Sequence, residues 1–92
     1  MSVLISMQVG PVDWDKFRAA AQWSNTVPAP GLLSVRVYRA EDDPKTALIL
    51  QEWESHQAFH QMADTYGEEF NRRAGTEGLD WTDRVWAPAS VS

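Results

Sequence analysis

Two runs of strand-forming residues, LLSVRVYRA (32–40) and TALILQEWE (46–54), are separated only by the turn cluster EDDPK. Runs this close, rich in β-branched and aromatic residues, have one economical arrangement, an antiparallel hairpin. Period-two alternation in the first run puts Leu33, Val35 and Val37 on one face and Ser34, Arg36 and Tyr38 on the other. The alternation is incomplete, however. Leu32 stands beside Leu33, Leu48 and Leu50 flank Ile49, and Leu4 stands beside Ile5. A sheet that is apolar in both registers requires cover on both faces.

The flanking segments supply cover for one face. Residues 2–9, SVLISMQV, read as a strand closed by Gly10-Pro11. Asp13 then caps a helix on which Trp14, Phe17, Ala21 and Ser24 recur at helical spacing. It ends at Asn25 and the loop TVPAPG, whose prolines cannot continue it. Trp23 falls well off that apolar face, which fits a cavity mouth, an interface or a fold back into the loop. After the hairpin, Ser55 caps a second helix, with Phe59, Met62, Ala63, Tyr66, Phe70 and Ala74 on one stripe. Gly75 is its expected stop. A last short strand is expected around DRVWAP. The order is β-α-β-β-α-β, which predicts a single α+β domain over 1–92. Its fold is ferredoxin-like, with a four-stranded antiparallel sheet and both helices on one face. The uncovered face then calls for a second copy, sheet against sheet.

Composition narrows the function classes. A net charge of −5 with no cationic run argues against nucleic acid and anionic membranes as partners. Without cysteine there is no thiolate nucleophile or thiolate-bound metal. No apolar run is long enough to span a bilayer and the N-terminus lacks a signal-peptide pattern, so a cytoplasmic location is expected. Five Trp in 92 residues require a core or a pocket that accepts large rings.

The only histidines, His56 and His60, lie four apart on one side of the second helix. A metal site needs three or four ligands, and only Asp64 offers a third one turn on. A metal is therefore not expected. His60, at the flank of the apolar stripe, reads instead as a rim group able to move protons near neutral pH. Tyr66 lies on the stripe and needs a partner for its hydroxyl if buried. Trp53 continues the alternation of Ala47, Ile49 and Gln51. Arg36, on the opposite register, needs a carboxylate if that face is covered, with Glu52 and Glu54 the nearest candidates.

The run GLLSVRVYRAEDDPKTALILQEWESHQAFHQM resembles the central signature of the antibiotic biosynthesis monooxygenase family. Pro30-Gly31, Tyr38-Arg39, Asp43-Pro44 and Glu52-Trp53-Glu54-Ser55 fall in register. The resemblance implies a dimeric α+β barrel, built by two ferredoxin-like subunits, with a cavity between sheet and helices in each. It also implies an activity. Some members oxygenate aromatic polyketides without metal or flavin, by deprotonating the substrate to a carbanion that reduces dioxygen. Another branch binds and degrades haem with an Asn from the first strand and a Trp and a His from the second helix. Here the corresponding helix positions hold Met62 and Arg72, and the first strand has no Asn, so haem is disfavoured. The expectation is a small monooxygenase with no tightly bound cofactor, or a non-catalytic module that binds ligands in the same cavity. Its ligand is apolar or aromatic. His60 and Tyr66 are the candidate catalytic groups, and Trp53, Phe59, Met62, Phe70, Asn71 and Trp86 the candidate contacts to substrate.

Overall fold

The computed structural model describes residues 2–91. Its elements are β1 (Val3–Val9), α1 (Trp14–Ser24), β2 (Leu32–Arg39), β3 (Ala47–Trp53), α2 (His56–Ala74) and β4 (Thr82–Trp86). The strands form one antiparallel sheet in the order β2-β3-β1-β4, the ferredoxin-like topology. Among the described residues no helix is long and apolar enough to cross a membrane.

Local chemistry sets the element ends. The Asp13 carboxylate accepts from the Asp15 and Lys16 amides, and the Ser55 hydroxyl oxygen accepts from the Ala58 amide. Each cap satisfies donors that a helix start otherwise leaves open, worth about 1 kcal/mol. Gly75 ends α2 at φ 71°, a left-handed position that glycine takes without strain. Gly31 opens β2 at φ 92°, where a Cβ would come within 2.9 Å of the Ala58 side chain. In the hairpin turn the Asp43 carboxylate accepts from the Thr46 hydroxyl and the Lys45 amide, and these bonds lower its pKa. The turn therefore favours folding above the ordinary value of 3.8. That contribution is lost as pH falls through the lowered one.

Register decides which residues face the helices. Pairing of Ile5 with Gln51 and of Met7 with Ile49, continued to Val35 and Val37, places these residues on the covered side. A bulge between Leu32 and Ser34 corrects the simple alternation of β2. The extra residue is Leu33, which is 51% exposed, and Leu32 takes its expected place beside Val35 and Val37. The covered core is concentrated around Val9, Val12, Phe17, Ala20, Ala47 and Ala74. Phe17 is fully buried and sits edge-on to Trp14 at 5.5 Å and to Phe70 at 5.8 Å. Phe70 continues to Trp81 at 6.3 Å, so one aromatic row ties α1, α2 and the entry to β4.

Arg36 lies on the sheet face that the helices leave uncovered. Among the described residues no ion pair includes it, and Glu52 instead accepts from the Ser2 hydroxyl at 2.9 Å. Because Phe17 is the hub of the packed end, Phe17→Ala should cost about 3–5 kcal/mol in denaturant unfolding. Phe59→Ala, which borders open space, should cost clearly less. Equal losses would contradict this partition of the core.

Candidate functional site

The other end of the helix–sheet interface is not filled. A cavity of about 420 Å³ lies there, open on one side. Its sheet wall is built by Met7, Ile49, Val35 and Val37, and its α2 wall by Phe59, Met62, Tyr66 and Phe70. The loop after α1 closes a third side with Val27 and Ala29. Trp23, displaced from the face of α1 that packs on the core, frames this side. Its ring meets Tyr66 edge-on at 6.3 Å, and the Arg73 guanidinium lies 4.4 Å above it. Glu69 in turn binds Arg73 at 2.7 Å, which holds the guanidinium in place.

The polar groups of the lining differ in how they are held. Asn71 lines the cavity, and its Oδ1 accepts from the Thr76 hydroxyl at 2.6 Å and from the Trp81 indole N–H at 3.1 Å. Its backbone carbonyl also accepts from the amides of Gly75 and Thr76, so the end of α2 is fixed around it. With Oδ1 doubly occupied, the Nδ2 group is left as the free end of the amide. Gln51 behaves alike: its Oε1 accepts from the Trp53 indole at 2.9 Å, leaving its NH2 group as the donor end. Asp83, an exposed residue of β4, also belongs to the lining, as do Ser24, Asn25 and Tyr66. It pairs with Met7 across the sheet, on the register that faces the helices, and desolvation by the wall raises its pKa.

Of the residues singled out from sequence, Phe59, Met62, Tyr66, Phe70 and Asn71 meet in this cavity. Trp53, Trp86 and His60 lie outside its lining. Trp53 is fully buried behind the wall, edge-on to Phe59 at 6.0 Å and bonded to Gln51, so it positions lining groups and touches no ligand space. Trp86 pairs with Leu4 on the opposite register, where its indole N–H donates to the Ser6 hydroxyl. His60 is exposed at the start of α2, its ring 4.4 Å from His56. Among the described residues no third carboxylate or imidazole joins that pair. Gln51, Trp81 and Asp83 were not anticipated as site residues. Trp81, Asp83 and Val85 alternate with Thr82, Arg84 and Trp86, so fixing the phase of β4 is what reveals the first two.

A ferredoxin-like sheet with an apolar cavity beneath two helices defines an α+β class that hosts many functions. The chain belongs to the antibiotic biosynthesis monooxygenase family, which matches residues 1–70. No curated protein matches it in sequence. Among solved structures it is similar to SnoaB, a cofactor-independent oxygenase from Streptomyces nogalater. The identity is 14%, the TM-score 0.72, and 98% of this chain and 94% of that one are covered. A conserved protein from Methanosarcina mazei Go1 is 16% identical with TM-score 0.72, covering 94% and 91% of the two chains. Rv0793 from Mycobacterium tuberculosis is 14% identical with TM-score 0.66, covering 100% and 99%. At these identities the likeness is one of fold.

The Asn71 arrangement yields a direct test. Asn71→Ala strands the Thr76 hydroxyl, which is buried, and should lower stability by about 1–3 kcal/mol. Asn71→Asp keeps an acceptor for both donors and should retain most of it. Equal loss in the two variants, measured by chemical denaturation, would show that the acceptor is not what matters.

Proposed function

We propose that the chain is a small monooxygenase that oxidises an aromatic or polyketide-type substrate without a tightly bound cofactor. The carrying observation is the cavity itself: largely apolar walls with amide, phenol and carboxylate groups at a few defined points. Its size lies within the range common for small-molecule sites, roughly 300–1,000 Å³. Phe59 and Phe70 on the helix side and Ile49 and Val35 on the sheet side offer apolar walls suited to flat rings. Removal of an activated C–H proton gives a carbanion that reduces dioxygen. A methylene becomes a carbonyl, with one oxygen atom retained and the other released as water. The protein's part is to bind the substrate, exclude water and manage protons. Family membership supports this reading, and the similarity to SnoaB agrees with it in fold.

Tyr66 is the group on α2 suited to donate to a substrate oxygen, since its side chain borders the cavity. His60 would have to act from outside it. Oxygen consumption with an anthrone should be measurable and should persist with a chelator present. Tyr66→Phe should slow it about tenfold, the worth of one hydrogen bond of roughly 1.4 kcal/mol. His60→Ala should leave it unchanged. Tight anthrone binding with no oxygen uptake would support the non-catalytic binding module instead.

The working unit in this reading is a homodimer formed sheet to sheet, in the cytoplasm. The sheet face away from the helices presents Leu4, Leu33, Tyr38 and Trp86, each 39–51% exposed. That much apolar surface on one face is the kind a partner covers. Sedimentation should report a dimer, and Trp86→Glu should shift it to monomer. A monomeric parent chain would remove the dimer from the account.

A further inference from the structure

Asp83 is an exposed residue of β4 whose register puts it in the cavity lining. It is one of two titratable side chains in the wall, the other being Tyr66 on α2; among the described residues β1, β2, β3 and α1 contribute none. Among the described residues it makes no hydrogen bond or ion pair that would hold it as a structural carboxylate. It stands two residues from Trp81 on the same register of the chain, and Trp81 is bonded to Asn71. One cavity lining thus holds an acceptor, the Asp83 carboxylate, and potential donors in the amides of Asn71 and Gln51 and the Tyr66 hydroxyl.

Resting on the monooxygenase reading, we propose that Asp83 is the proton acceptor of this cavity, taking the acidic C–H proton of an apolar ligand whose carbanion is conjugated with a carbonyl. The C–H bond breaks and its electron pair moves into the carbonyl as an enolate. The proton forms a new O–H bond on the Asp83 carboxyl. The enolate oxygen is met by N–H or O–H donors, whose preorganised dipoles favour the charge where it develops. Partial desolvation already raises the Asp83 pKa in the empty cavity. An apolar ligand displaces further water and raises it more, which makes the carboxylate a stronger base once substrate is bound.

The experiment separates this step from oxidation. Anthrone is incubated with the protein in deuterated buffer without dioxygen, and deuterium entry at its methylene is followed by mass spectrometry. The parent chain should catalyse exchange, with a rate that rises with pH through a value above the ordinary aspartate range. Asp83→Asn should lower the rate by about 10²–10⁴-fold with the anthrone dissociation constant little changed. Asp83→Glu should restore part of it. Circular dichroism of each variant checks folding. Exchange equal in parent and Asp83→Asn, or absent from the parent, overturns the assignment of Asp83. Exchange that depends on Asp83 without oxygen uptake in air supports the base and overturns the monooxygenase reading. Oxygen uptake indifferent to Asp83 does the reverse.

Discussion

The edge-on packing of Phe17 between Trp14 and Phe70 is the contact on which the rest of the architecture depends. It locks α1 and α2 together where Ala20, Ala47 and Ala74 let helices and sheet close tightly. A chain of 92 residues has little core to spend, and here it is concentrated at one end. The opposite end is framed by large side chains that touch one another and leave space between them. Trp53 props Phe59, and Trp23 meets Tyr66 under Arg73. The cavity is the consequence of that uneven distribution of bulk.

The same distribution explains how a few polar groups survive in an apolar wall. Two amides are held by neighbouring side chains. Thr76 and Trp81 occupy the carbonyl end of the Asn71 amide, and Trp53 occupies that of Gln51. Two indoles thereby decide which way two amides point, leaving donors at the free ends. Asp83 has no such neighbour, and its carboxyl is left to the balance between partial burial and water.

Much of the fold was legible in the sequence because its signals were local. The Asp13 and Ser55 caps, Gly75 and the EDDPK turn mark element ends by their own hydrogen bonding and backbone freedom. The stripe on α2 placed Phe59, Met62, Tyr66 and Phe70 together, since helical phase is set by spacing alone. Strand phase was less secure. One extra residue, Leu33, reverses the expected face at the start of β2, and such a bulge depends on pairing with β3. In β4 five residues alternate among Thr, Asp, Arg, Val and Trp without a clear apolar face. Only the pairing with β1 shows that Trp86 turns away while Asp83 turns in. His60 lies outside the lining because it is turned about 100° round the helix from Phe59, which lines the cavity from the same turn.

The proposed function depends on ligands binding beneath the helices and not on the open sheet face. The five indole N–H resonances of a ¹⁵N-labelled sample report on it directly, since the Trp residues are distributed between these places. On titration with an apolar aromatic ketone, the signals of Trp23 and Trp81, which line the cavity, should move with saturable binding. Those of Trp14 and Trp86 should stay nearly fixed. Saturable movement of Trp86 with Trp23 and Trp81 unperturbed would place the ligand on the other face and contradict the claim.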